Sequence, residues 1–119
     1  MLSRIGEDFA REIRNHDWSD SPYRADRAGH KREHDGAKKS AEVLSPSESA
    51  TVLTNVMWVT AQVLLHDDPN FDLVAYAEAC GVPHRVIHNS GGRVSGILTA
   101  GIRWGLDGRA SAHDHEAKA

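Results

Sequence analysis

Two histidines and a glutamate stand in the order His30-Lys31-Arg32-Glu33-His34. On a helix this spacing sets the two rings about one turn apart, close enough to share a metal ion, with Glu33 as a general base. The surroundings argue against an enzyme site. From Tyr23 to Ala41 the chain has almost no apolar residue larger than alanine, and no third ligand from a supporting core is evident. His84 and His88 repeat the four-residue spacing and read as the polar face of a helix, while His113-Asp114-His115 forms a looser group. Gly91-Gly92-Arg93-Val94-Ser95-Gly96 precedes a helix as a phosphate-cradling loop would, but it lacks a Lys-Ser/Thr ending and a leading strand. Cys80 has no cationic neighbour except His84 and reads as a small apolar packing residue. No acid, base and nucleophile assemble. The expectation is a protein that is not an enzyme and that carries no metal and no cofactor.

The charge is partitioned along the chain. Over 119 residues the formal net charge is -3, which excludes a protein that coats nucleic acid through general basicity. From Pro46 to Pro83 there are acids (Glu48, Asp67, Asp68, Asp72, Glu78) and no base. From His84 to Arg109 the pattern reverses, with Arg85, Arg93, Arg103 and Arg109 against Asp107 alone. A polyanion can approach this last segment while the preceding one repels it. The single cysteine excludes a disulfide framework and a multi-cysteine zinc site.

The elements that must position these residues follow from periodicity and capping signals. Leu2, Ile5, Phe9 and Ile13 recur at helical spacing and predict a first helix over Leu2 to about His16, with these four facing inward. The polar stretch that follows predicts a partly ordered arm or linker, its helicity lowered by Gly29 and Gly36. Ser45-Pro46-Ser47-Glu48 combines a cap, a proline at the first helical position and a capping box. The helix it opens is apolar nearly all round from Val52 to Leu65 and must be covered on most sides. Its uncharged stretch, Ser49 to Leu65, is interrupted by Thr51, Thr54, Asn55, Thr60 and Gln62, so no membrane span is expected. Shorter helices are predicted over Phe71–Cys80, His84–Asn89 and Arg93–Leu106. Trp58 is read as core, and Trp18 and Trp104 as candidate contact surface. Period-two alternation is lacking over any useful length, so no sheet is expected, and no internal repeat is read. The N-terminus has acids where a secretory signal would be apolar, giving a cytoplasmic expectation. The predicted fold is all-α, a small bundle of about five helices. Its parts are an N-terminal helix with its arm (1–44), a compact domain (45–107) and a flexible tail (108–119).

The window Leu73 to Gly92, LVAYAEACGVPHRVIHNSGG, carries the functional expectation. Ala77 stands four residues before Gly81, Val82 follows, and Ile87 comes five after Val82. Two short helices that cross steeply need a small side chain at the crossing, a residue tolerant of positive φ at the turn, and apolar side chains that lock the pair. Ala77, Gly81 and the set Tyr76, Cys80, Val82 and Ile87 fit those places. Over residues 73–92 the sequence resembles the helix-turn-helix of DNA-binding regulators. The resemblance implies that the second helix enters the major groove with His84, Arg85, His88 and Asn89 outward. Arg can pair with guanine there and Asn with adenine, while Arg93 and the amides near Gly91-Gly92 contact phosphates. Double-stranded DNA is then the expected partner, and a homo-oligomer would cover the apolar central helix and suit paired half-sites. The alternative is a helical interaction or assembly module, a bacterial or phage accessory protein, with no DNA contact.

Overall fold

The computed structural model describes residues 2–112. It is all-α, with α1 (Arg4–Asn15), α2 (Pro46–Asp67), α3 (Leu73–Cys80), α4 (His84–Ile87) and α5 (Gly96–Ala100), plus a 3-10 segment at Arg32–Lys38. No helix among the described residues is long and apolar enough to cross a membrane. The group His113-Asp114-His115 and the outer part of the expected tail lie outside the described residues.

The capping box that opens α2 is complete. Ser45 Oγ accepts from Glu48 N at 3.1 Å, and Glu48 Oε1 accepts from Ser45 N at 2.8 Å. Inside, α2 buries Thr54, Met57, Ala61, Leu64 and Leu65. Tyr76 of α3 is fully buried against this face; its hydroxyl lies 2.6 Å from Thr60 Oγ1 and its ring meets Phe71 edge-on. Cys80 packs there as the small apolar residue expected. Burial pushes its thiol up to about 11, which keeps it protonated and inert. Trp58 is only half-buried and packs against the edge of the core.

α1 packs on α3 and α2, with its inward stripe rotated from the expected one. Ile5 and Phe9 are exposed, and the buried positions are Gly6, Ala10 and Ile13. Close approach is the reason: a Cβ on Gly6 would lie 2.9 Å from Phe71 Cε1. Small residues line the crossing, and the larger ones stand outside it. The buried core thus draws on Ala10 and Ile13 before residue 45 and on Ala110 after residue 107.

The segment between α1 and α2 folds back on itself. Asp17 N donates to His30 O at 2.9 Å, Arg32 N donates to Asp17 Oδ2 at 3.0 Å, and Leu44 N donates to Ser19 O. Its interior is polar: Asp20 is fully buried, and His30 and Asp26 are nearly so.

The region after α4 departs most from expectation. α4 is a single turn, and His88 leaves it with extended backbone. His88 then pairs with Val94 across a tight turn, and Trp104 pairs with Ala110 across a second one. The two turns use the same bonds sixteen residues apart. Asn89 N donates to Arg93 O, Gly92 N to Asn89 O and Ser95 N to Ile87 O; Gly105 N donates to Arg109 O, Gly108 N to Gly105 O and Ser111 N to Arg103 O. Gly92 and Gly108 occupy equivalent places at φ +82° and +80°. An internal repeat is therefore present where none was read. Its trace is Gly-Arg-Val-Ser at 92–95 and Gly-Arg-Ala-Ser at 108–111.

The helix expected over Arg93–Leu106 shrinks to α5 between these turns. Ser95 Oγ caps it by accepting from Ile97 N. Gln62 of α2 holds the second turn through three bonds, donating to Arg103 O and Ser111 O and accepting from Arg103 N.

Candidate nucleic-acid interface

Gly81 turns the chain from α3 toward α4, which is a short helix. Asp72 Oδ1 caps α3 by accepting from Ala75 N at 3.0 Å, and this bond draws the carboxyl below its ordinary range. Gly81 ends α3 at φ +89°, a left-handed conformation that glycine adopts without a Cβ penalty. Its N–H returns to Ala77 and Glu78 carbonyls. Val82 and Ile87 are buried as the corner requires. With four residues, α4 presents one turn of side chains, against the six residues expected.

The five expected contact residues are divided by the structure. His84, Arg85 and Arg93 are exposed. His88 is half-buried, its Nε2 3.4 Å from Glu78 Oε2 and its ring 4.7 Å from that of His84. Asn89 is exposed but committed: Oδ1 accepts from Gly91 N at 2.9 Å and from Arg93 N at 3.1 Å. Bidentate recognition of adenine needs both the oxygen and the amide of asparagine. The Asn89 oxygen is therefore engaged in closing the turn, because the sharp turn leaves the Gly91 and Arg93 amides without backbone partners.

The two turns bring a different set forward. Arg93 and Arg109 occupy the same position in the repeat, and Arg103 immediately precedes the second turn. Arg85, Arg93, Arg103 and Arg109 are all exposed. Among the described residues none of the four forms an ion pair, whereas Arg11 pairs with Asp8 and Arg24 with Asp26 and Asp35. Asp107, the one acid of the segment, turns Oδ1 back to the Arg109 amide at 3.0 Å. Trp104 stands half-exposed between these arginines in sequence, with Nε1 donating to Thr99 O. Arg103 and Arg109 also line an open cleft of about 1130 Å³ with His66 and Trp104. Of the four exposed arginines, Arg85 and Arg93 were among the expected contact residues, and Arg103 and Arg109 were not. The repeated Gly-Arg is the sequence signal that pairs Arg109 with Arg93.

No protein-family model matches the chain, and neither a curated protein nor a solved structure matches it. Geometry and charge alone carry the functional reading.

Proposed function

We propose that this chain is a small, non-enzymatic DNA-binding protein that grips the phosphate backbone with its C-terminal arginines. The observation that carries this is the set Arg85, Arg93, Arg103 and Arg109, exposed and unpaired among the described residues, in a segment with one acid. Charge left unneutralised on a surface is what a polyanion rewards through counterion release. A one-turn α4 offers few base contacts, so affinity exceeds sequence discrimination in this proposal, and Arg85 at the corner is the residue nearest to a base reader.

Fluorescence anisotropy with a random duplex at increasing salt tests it. Four phosphate contacts correspond to a log–log salt slope of about -3.6. Arg85→Glu, Arg93→Glu and Arg109→Glu should each weaken binding and flatten the slope by about one, with the helical circular dichroism retained. A wild-type protein that leaves the duplex unbound at low salt refutes the proposal.

A second reading, an assembly module with no DNA contact, is favoured by Val59 and Val63. They stand one turn apart on α2 and are 70% and 66% exposed. A homo-oligomer through this face would cover them. Light scattering of wild type and Val59→Glu tests self-assembly through this face, which a monomeric wild type eliminates.

A further inference from the structure

We propose that Asp20, Asp26 and His30 form a binding site for a divalent transition-metal ion, of which Zn²⁺ is the representative probe. His30 Nε2 lies 3.1 Å from Asp20 Oδ2 and 3.5 Å from Asp26 Oδ2. One ligand atom from each of the three residues falls within 4.8 Å of the others. Ligand atoms held about 2.1 Å from a tetrahedral ion stand roughly 3.4 Å apart, so these separations suit a shared ion. A third carboxylate, Asp35, reaches to 4.0 Å from the same ring nitrogen.

Hydrogen bonding alone leaves this cluster poorly satisfied. His30 Nε2 carries at most one proton, and three carboxylate oxygens converge on it. The Asp20 side chain is 0% exposed, that of His30 7% and that of Asp26 9%. Within the Asp20 carboxyl that faces the ring, the second oxygen, Oδ1, is buried and receives no hydrogen bond. A buried carboxylate oxygen without a donor is unfavourable by several kcal/mol in general, and a cation is one of the few groups that relieves it.

Charge points the same way. Three carboxylates face one guanidinium and one imidazole. Arg24 is already engaged at the periphery, its Nε 2.9 Å from Asp26 Oδ1 and its Nη1 3.0 Å from Asp35 Oδ2. It thereby orients two carboxylates as outer partners of metal ligands do. With neutral His30, the ion-paired groups alone sum to -2, which one divalent ion balances, while Arg27 and Lys31 line the adjoining cleft.

One imidazole and two carboxylates form a borderline-hard donor set that fits Zn²⁺ and its neighbours, and suits Ca²⁺ or Mg²⁺ less well. Asp26 and His30 also line an open cleft of about 330 Å³, which gives an ion and its remaining water ligands a way in. The ligands differ from the His30–Glu33–His34 pattern of the sequence. His34 and Glu33 are 73% and 77% exposed and 4.0 Å from each other, and only His30 is shared. The bound ion would fasten the polar segment between α1 and α2, which lacks an apolar interior.

Isothermal titration of the EDTA-treated full chain with Zn²⁺ tests the site, with Co²⁺ absorption as a second readout. Wild type should bind one ion at the cluster and give visible Co²⁺ bands of a low-symmetry nitrogen–oxygen site. His30→Ala and Asp20→Asn should each lower affinity by at least about tenfold, and His34→Ala should match wild type. Because Asp20 is buried, Asp26→Asn at the cleft serves as the variant that keeps the fold, checked by circular dichroism, and it too should lose affinity. Failure of wild type to bind Zn²⁺ overturns the proposal. So does equal binding by wild type, His30→Ala and Asp26→Asn, which would assign the ion to other histidines.

Discussion

Gly101→Ala is the substitution whose effect the structure fixes most tightly. Gly101 closes α5 at φ -76° and ψ -8°, a conformation open to any L-residue, so backbone strain plays no part. The obstacle is Trp58. A Cβ built on Gly101 would lie 2.0 Å from Trp58 Cε2, 2.1 Å from Nε1 and 2.5 Å from Cδ2. An indole cannot yield by a rotamer adjustment of a few tenths of an ångström over such an overlap, so the ring or α5 must move. Either movement breaks the 3.0 Å bond from Trp58 Nε1 to Leu98 O. Overpacking of this kind costs about 1–3 kcal/mol, and the lost hydrogen bond adds about 1 kcal/mol. The expected destabilisation is therefore about 2–4 kcal/mol, or a fall in Tm on the order of 10 °C for a chain of this size. Gly96→Ala supplies the control, because nothing lies within 4 Å of its Cβ and alanine favours the helix by up to about 1 kcal/mol. Urea unfolding followed by circular dichroism at 222 nm measures both. Adding Trp58→Ala to Gly101→Ala should recover part of the loss, a coupling that a clash produces and two independent defects do not. Equal stabilities for Gly101→Ala and Gly96→Ala would refute the packing of Trp58 on α5.

Other perturbations have equally definite outcomes. Asn89→Ala removes the acceptor that closes the first turn and should destabilise the chain by about 1–2 kcal/mol, while Asn89→Asp keeps the acceptor and the stability; equal melting of the two variants would remove Asn89 from the turn. Ser45→Ala should destabilise α2 by about 1 kcal/mol, read by chemical denaturation. The Ser45 amide and hydroxyl hold the Glu48 carboxyl below its ordinary range, so this carboxylate's stabilisation is complete above the unfolded value and is lost as pH falls through the lowered folded one. Thermal melts of wild type should accordingly lose more between pH 6 and pH 3 than those of Ser45→Ala. Cys80, buried with its thiol raised, should resist a thiol-reactive disulfide at pH 8 until urea unfolds the chain; rapid native labelling would contradict its burial.

What could be read from the sequence was what each residue decides with its near neighbours. The capping box of α2 needs only Ser45 and Glu48, and both bonds form. The halt of α3 at Gly81 is likewise local. The rotated stripe of α1 was hidden because Leu2, Ile5, Phe9 and Ile13 satisfy helical spacing as well as Gly6, Ala10 and Ile13 do. The choice falls to Phe71, some sixty residues away, which leaves no room for a Cβ at position 6. The same reason shortens the last helix. Val94 to Leu106 carries enough apolar spacing to continue, but Trp58 occupies the place of a side chain at Gly101, and Gln62 binds the backbone at Arg103 and Ser111 in another conformation.

The candidate interface divides along the same line. Charge is additive and visible in a sequence, so the arginine-rich segment was legible before any coordinate. Whether a polar side chain is free to meet a ligand depends on which backbone groups lack partners, and that is a property of the turn. Asn89 illustrates the point: its residue type suited a base reader, while two unpaired amides of its own turn lay within reach of its oxygen. Asp20 is the converse. It stands beside a hydrophilic stretch, and folding of that segment encloses it with an oxygen that receives no donor. A committed polar atom has little left to offer a partner, and an enclosed, unsatisfied one has most. By that measure the Asp20 carboxylate has more to offer a ligand than the Asn89 amide oxygen.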